Sequence, residues 1–241
     1  MNISNFFIYS IPFFIVVIIH LYTCDTDREI LRNRTKLLLM PLLMLTVILC
    51  AVVEFHSFYF RLILLLSALF FGWIGDIFLL GSNPSKTNFV KGVVFFLIGH
   101  ILYLIIIFHM YDFSYVTITP TIIICLLYLV GIFLVLSKAN LPKGILGKLI
   151  AIYAVILCIS SCVSLVTLTS YFAISPQIQL HIESFIIIKI VILFFGGLLF
   201  AISDSVLCFI TFNKRFKHSD TIVMLTYILA QFLLALGICI W

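Results

Sequence analysis

The sequence predicts an all-α polytopic membrane protein, a bundle of eight transmembrane helices in one domain that covers residues 1–241. Of the 241 residues, 64% are hydrophobic and only 10% are charged, whereas about a quarter of a globular chain is charged. The mean hydropathy is +1.34. The apolar residues form long runs, and no segment alternates as a β-barrel strand would. This composition excludes a soluble globular domain, a disordered chain and a disulfide-stabilised secreted scaffold.

Eight apolar stretches, separated by charges and turn residues, are the predicted spans. A hydrocarbon core of about 30 Å requires about 20 apolar residues per helix. The first stretch lacks a basic n-region and a small-residue cleavage site, so we expect it to be a retained helix rather than a secretory signal. The predicted spans are residues 3–23, 36–53, 60–81, 91–110, 115–136, 146–171, 185–210 and 220–241.

The basic residues predict the orientation of the bundle. Twelve of the 14 lysines and arginines lie in odd-numbered connectors or in the first three residues of the span that follows: Arg28, Arg32, Arg34, Lys36, Lys86, Lys91, Lys138, Lys143, Lys148, Lys214, Arg215 and Lys217. Basic residues concentrate in cytoplasmic loops. The odd connectors are therefore predicted to be cytoplasmic and both termini to lie outside. The net charge of +5 accordingly indicates topology, and nucleic acid is not an expected partner.

Two carboxylates interrupt the apolar spans. Asp76 follows Gly72-Trp73-Ile74-Gly75, and Asp204 lies within Ala201-Ile202-Ser203-Asp204-Ser205. The other seven acids are assigned to connectors or span ends: Asp25, Asp27, Glu29, Glu54, Asp112, Glu183 and Asp220. A carboxylate within the bilayer costs at least about 2.5 kcal/mol, so it is either functional or satisfied by a neighbouring polar group. We favour the functional interpretation.

The positions of the two aspartates suggest that they act as a pair. Each lies roughly 8–9 Å from the predicted cytoplasmic end of its span, and spans three and seven run in the same direction. Ile-Gly-Asp and Ile-Ser-Asp are each followed by a leucine three residues later. These features suggest a tandem of two four-helix halves, in which the two aspartates are equivalent and face one cavity.

Other polar residues within the spans are weaker candidates. His100 and Tyr103 share a face of span four, and Tyr227 and Gln231 share a face of span eight. A single intramembrane tyrosine such as Tyr153 more commonly packs than reacts. His100 is expected to orient an aspartate or transfer a proton. No metal-ligand cluster is visible, and no cofactor is expected.

Two groups of residues resemble the motifs of the YhhN/TMEM86 family of membrane proteins. The first comprises Gly75, Asp76, Leu79, Gly92, Phe96, His100 and Tyr103; the second comprises residues 197–205, Asn213, Phe216, Tyr227 and Gln231. Lys36, which precedes Pro41, resembles a looser amino-terminal motif. The resemblance extends over residues 36–241.

The resemblance implies a lysoplasmalogenase-like hydrolase. Such an enzyme cleaves the vinyl ether of a lysophospholipid and releases a fatty aldehyde and glycerophosphoethanolamine or glycerophosphocholine. Protonation of the vinyl ether gives an oxocarbenium ion that water captures, which suits paired carboxylates. We therefore expect Asp76 and Asp204 to be the acid–base pair, with either one as the acid. The expected supporting residues are Lys36, His100, Tyr103, Tyr153, Ser203, Asn213, Tyr227 and Gln231. The expected basic rim for the phosphate comprises Lys36, Lys86, Lys91, Lys214 and Arg215.

Other classes of protein also use intramembrane aspartates. A small-molecule or lipid transporter with a proton-coupled aspartate pair is the principal alternative. An intramembrane aspartyl protease is less favoured because its Gly-x-Gly-Asp pattern is absent at Asp76. A non-catalytic scaffold would use the aspartates to hold helices together. The oligomeric state is left open.

Overall fold

The computed structural model describes residues 3–26, 28–54, 59–81, 85–111, 113, 116–173 and 184–240, and within these ranges the secondary structure is entirely helical. The nine helices are α1 (Ile3–Tyr9), α2 (Ile11–Cys24), α3 (Glu29–Glu54), α4 (Tyr59–Phe78), α5 (Lys86–Met110), α6 (Ile118–Lys138), α7 (Ile145–Ala173), α8 (Ser184–Phe212) and α9 (Ser219–Cys239). Helices α3 to α9 are each long and apolar enough to cross a membrane. The prediction of an all-α polytopic membrane protein is confirmed. Several residues named in the predicted connectors and span ends lie outside the described ranges: Asp27, Asp112, Tyr115, Glu183 and Trp241.

The first predicted span is broken. Helices α1 and α2 meet at 53° and together have the length and apolarity of one bent span. Pro12 lies in the first turn of α2, where its missing N–H cannot continue a helical hydrogen-bond ladder. The hydroxyl of Ser10, between the two helices, donates to the carbonyl of Phe7 over 2.9 Å. Among the described residues, the eight predicted spans therefore correspond to seven continuous helices and this bent pair.

Helix ends differ from the predicted span ends. Helix α3 begins at Glu29 and α5 at Lys86, several residues before the apolar stretches begin. The hydroxyl of Ser85 caps α5 by accepting from the N–H of Asn88 over 3.2 Å, which satisfies an otherwise orphaned donor. Helix α4 ends earlier than predicted, at Phe78. The apolar runs therefore predict the part of each helix that lies within the membrane, whereas α3 and α5 themselves begin earlier, in polar residues.

Small residues bring the central helices close together. A Cβ atom on Gly99 of α5 would lie 3.1 Å from the carbonyl oxygen of Ala68 in α4, and one on Gly92 would lie 2.8 Å from Cγ of Leu79. Helix α4 packs most extensively on α5, and α8 on α7 and α9, whereas α6 packs chiefly on α7. Neighbours pack in the same order in α2–α5 and α6–α9. This order is the one that a tandem of four-helix halves would produce, and the tandem stays a hypothesis.

Candidate active site

Asp76 of α4 and Asp204 of α8 line the same cavity, which has a volume of about 680 Å³. The cavity lies at the end of the bundle where α2, α4 and α8 terminate and α3, α5, α7 and α9 begin. Asp76 is buried at 3% exposure, and Asp204 is half-buried. The two acids, which are distant in the sequence, therefore line one chamber.

The equal depth predicted for the two acids is wrong when it is measured from the helix ends. Asp76 precedes the last residue of α4, Phe78, by two positions, and Asp204 precedes the last residue of α8, Phe212, by eight. At 1.5 Å per residue these positions are about 3 Å and 12 Å from the ends. The acids line the same chamber although α8 continues several turns past its aspartate and α4 does not.

The Asp76 carboxylate has a cation and a hydroxyl as partners. Nζ of Lys36 lies 3.4 Å from its Oδ1, and the Tyr227 hydroxyl donates to its Oδ2 over 2.7 Å. Nζ of Lys36 also donates to the carbonyl of Leu79 over 3.2 Å, where the C-terminal end of α4 favours a cation. Lys36 therefore neutralises Asp76 and caps the helix that carries it.

A chain of hydrogen bonds leads away from Asp76 into the core. The Tyr103 hydroxyl donates to Oε1 of Gln231 over 2.6 Å, and Nε2 of Gln231 donates to the Tyr227 hydroxyl over 3.5 Å. All three side chains are buried. A Cβ on Gly72 would lie 3.2 Å from Nε2 of Gln231, so this glycine leaves room for the amide. The chain fixes the orientation of the Tyr227 hydroxyl that contacts the aspartate.

Asp204 has a different environment. Its Oδ2 accepts a short hydrogen bond from the Tyr153 hydroxyl. Among the described residues, no lysine or arginine lies within 4 Å of its carboxylate. The neighbouring Ser203 also lines the cavity, but its hydroxyl donates to the carbonyl of Val223 over 3.0 Å and ties α8 to α9. Asp76 thus has a cation beside it, whereas Asp204 has none among the described residues.

His100 is buried between the two aspartate clusters without touching either acid. Its Nδ1 donates to the carbonyl of Phe96 over 2.9 Å, and its Nε2 is buried with no partner in the described part of the chain. Its ring packs edge-on against Phe200 at 4.2 Å and lies 5.6 Å from the Tyr153 ring.

The basic residues at the cavity only partly match the predicted rim. Lys36, Lys86 and Arg215 line it, as predicted. Arg32 and Lys143 line it as well, although they were not predicted to do so. Lys91 and Lys214 are not among the lining residues. Nζ of Lys91 lies instead 5.3 Å from the centre of the Phe78 ring, because its position on α5 turns it toward the end of α4.

An acidic residue predicted at the start of the last span organises this rim. Asp220 pairs with Arg32 at 3.4 Å and with Arg215 at 3.0 Å, and it lines the cavity. Lys86 and Lys143 are exposed and form no ion pair with a described residue. These two ammonium groups are therefore the ones free to meet an anion.

Asn213, one of the expected supporting residues, is not among the residues that line the cavity. Its Oδ1 accepts from the amide of Asn140, and its Nδ2 donates to the carbonyl of Lys138 over 3.4 Å. It joins the end of α8 to the connector between α6 and α7. Asn213 is therefore not placed to contact a molecule in the cavity directly, and a supporting role for it stays a prediction.

The sequence profile of the YhhN family matches residues 31–238. No curated protein and no solved structure matches the chain. The matched segment includes both aspartates, the residues that contact them (Lys36, Tyr153 and Tyr227) and Gln231, which contacts Tyr227. The matched segment extends over most of the sequence, and the chain therefore belongs to the YhhN family.

Proposed function

We propose that this protein is a membrane hydrolase that cleaves the vinyl ether of lysoplasmalogens. The observation that carries the proposal is the convergence of Asp76 and Asp204 on one cavity with different partners. Membership of the YhhN family is consistent with this activity. The substrate is a lysophospholipid, and the products are a fatty aldehyde and glycerophosphoethanolamine or glycerophosphocholine.

The reaction consumes one water molecule and needs an acid and a base. A proton is added to the β-carbon of the vinyl ether, and the C=C electron pair forms the new C–H bond. The resulting oxocarbenium ion is captured by water, which loses a proton to the base. The hemiacetal then collapses: its hydroxyl loses a proton and becomes the C=O of the aldehyde, its C–O bond to glycerol breaks, and the glycerol oxygen takes up a proton. Paired carboxylates serve a similar cation in glycoside hydrolysis.

The partners of the aspartates support a division of roles. Lys36 lies 3.4 Å from Asp76, so the charged form of this acid is compensated and suits the base that activates water. Asp204 has no such cation among the described residues and is the proposed proton donor. The Tyr153 hydroxyl holds Oδ2 of Asp204, which leaves Oδ1 to carry the proton. Two acids in unlike environments can thus take opposite roles.

The charge at the cavity suits a phosphodiester head group. Five basic residues line it: Arg32, Lys36, Lys86, Lys143 and Arg215. Charge-assisted hydrogen bonds from lysine and arginine bind phosphate strongly. The head group would occupy this basic part, with the vinyl ether directed toward the aspartates.

The test incubates purified protein with lysoplasmenyl-ethanolamine and with the corresponding lysoacyl lipid, and measures the aldehyde released. Aldehyde from the vinyl ether alone is expected. D76N and D204N should each lower kcat by at least about 100-fold, the size of a lost acid or base, while the thermal unfolding curve shows that each variant is folded. K214M is the matched control, because Lys214 does not line the cavity, and it should retain activity. A protein that moves lipid across vesicles without releasing aldehyde would be a transporter instead.

A further inference from the structure

A second cavity, of about 520 Å³, adjoins the first. It is formed by Leu79, just past the end of α4, and by residues of α5 to α8, and among the described residues that line it Asp204 is the only charged one. Aliphatic and aromatic side chains make up most of the wall. This space is therefore suited to a hydrocarbon and poorly suited to a phosphate.

The two cavities meet at the proposed proton donor. Both are lined by Leu79, Phe89, Phe96, Asp204 and Leu207. The basic residues line only the first cavity, and Tyr153, the partner of Asp204, lines only the second. The wall therefore changes at Asp204, from basic side chains in the first cavity to apolar side chains in the second. A lysoplasmalogen has the same order of chemistry: a charged head group, a vinyl ether and a hydrocarbon chain.

Helix α6 supplies one wall of the second cavity. Tyr128, Gly131 and Val135, one turn apart from each other, line it, whereas Val130 and Phe133 are 55% and 70% exposed on the outer surface. The Tyr128 hydroxyl makes a short hydrogen bond with Ser161 of α7. Ser161 lies eight residues beyond Tyr153, about 12 Å along the helix. On α7 the lining itself extends from the level of Tyr153, the partner of the acid, to Cys158.

Gly131 keeps part of this cavity empty. A Cβ at this position would have no heavy atom within 4 Å, so a larger side chain enters open space and does not collide with a neighbouring helix. Gly131 is also in the interior of α6, where other residues favour the helix more than glycine does. Packing therefore does not require glycine here, and because Gly131 is exposed and lines the cavity, a large side chain at this position would occupy that space.

We propose that the second cavity binds the part of the hydrocarbon chain nearest the vinyl ether, and that Gly131 determines specificity by leaving this space open. The inference rests on the proposed function and names the second subsite of the same active site. For a substrate monomer that enters the cavity from water, burial of each methylene favours binding by about fourfold. The Michaelis constant should therefore fall with chain length over the part of the chain that the cavity encloses.

The experiment compares G131W with V130W, which adds the same bulk to the exposed face of α6. Each is assayed for aldehyde release from lysoplasmenyl-ethanolamines that carry a long or a very short alkenyl chain. We expect G131W to raise KM at least tenfold for the long chain and to leave the short-chain substrate unchanged, with V130W resembling the unmodified protein. G131L should give a smaller shift of the same kind. Equal effects on both substrates, or equal effects of G131W and V130W, would overturn the proposal.

A second measurement separates this proposal from the proposed hydrolysis. The saturated 1-O-alkyl lysophosphoethanolamine has no C=C bond to protonate, and its binding can be measured by native mass spectrometry. Binding that strengthens with chain length, and that G131W but not V130W weakens, supports the hydrocarbon subsite even if no aldehyde is ever released. Binding that is independent of chain length would overturn the subsite. The absence of aldehyde from the unmodified protein would count against the proposed hydrolysis alone.

Discussion

Nζ of Lys36 lies between the Oδ1 atom of Asp76 and the carbonyl of Leu79, 3.4 Å from the first and 3.2 Å from the second. One cation thus serves both the candidate base and the end of the helix that carries it. The Lys36 side chain is 14% exposed and that of Asp76 is 4% exposed. Removing either partner leaves a largely buried charge without compensation.

We therefore expect K36M and D76N each to destabilise the protein by about 3 kcal/mol, a typical cost of breaking a buried ion pair. The double variant K36M/D76N should recover much of this loss, because neither charge then remains unpaired. Activity should not recover, since the proposed base is still missing. Thermal unfolding in detergent and aldehyde release measure the two effects. Additive losses of stability would contradict the ion pair.

A second prediction concerns the phosphate. Lys86 and Lys143 line the cavity without an ion-pair partner among the described residues. K86M and K143M should each raise KM by about five- to tenfold, the loss of roughly 1–1.4 kcal/mol of binding, with little change in kcat. K91M is the control, because Lys91 lies over the Phe78 ring and outside the lining. A fall in kcat at constant KM would show that these lysines do not bind the head group.

A third prediction concerns the contact between α7 and α8. A Cβ on Gly197 would lie 2.8 Å from Oγ of Ser160 and 2.9 Å from the backbone nitrogen of Ser161. The backbone cannot move aside as a flexible side chain can, so G197A should destabilise the protein by about 1–3 kcal/mol. G131A, which meets nothing within 4 Å, should be neutral or stabilising by up to about 1 kcal/mol. Thermal unfolding of the two variants in the same detergent compares them directly, and equal stabilities would contradict the close approach.

A fourth prediction concerns Asp25, which joins the end of α2 to the start of α9. Its carboxylate accepts from Thr221 over 2.7 Å and lies 2.8 Å from Nδ1 of His218. The hydrogen bond from Thr221, followed by the interaction with His218, lowers the pKa of Asp25. A lowered pKa in the folded state stabilises the fold above the ordinary aspartate pKa of about 3.9, and this contribution is lost as the pH falls through the lowered value.

The D25N variant should therefore unfold at a lower temperature than the unmodified protein near neutral pH. The difference between their unfolding temperatures should shrink as the pH falls below about 4, because protonation of Asp25 then removes the same interaction. T226V is a suitable control, since the Thr226 hydroxyl bonds only within α9. A difference that grows on acidification would contradict the assignment.

The two aspartates were predictable from the sequence because their signal is local. A carboxylate within an apolar run is costly wherever the helix lies, so Asp76 and Asp204 are conspicuous without any knowledge of packing. The all-α fold follows from composition for the same reason. Helix ends were less predictable, since α3 and α5 continue through polar turns beyond their apolar stretches.

The partners of the aspartates required the tertiary structure. Tyr153 and Asp204 are 51 positions apart, and nothing in either segment specifies which helix faces which. Asp220 is predictable as the start of the last span, but its pairing with two arginines at the cavity is not. The break at Ser10 did have a local signal in Pro12, two residues later. A proline within an apolar run marks a position where a span can bend.

The indole of Trp73 offers an optical view of this site. Its Nε1 donates to the carbonyl of Leu37 over 2.9 Å, next to Lys36, and Asp76 follows one turn later on α4. The sequence has only two tryptophans, Trp73 and Trp241. Replacing Trp241 with phenylalanine would leave Trp73 as the single tryptophan, beside the cation and the acid. A shift in the tryptophan emission would then report, without an added label, a change at the contact between α3 and α4 when a lipid binds or dissociates.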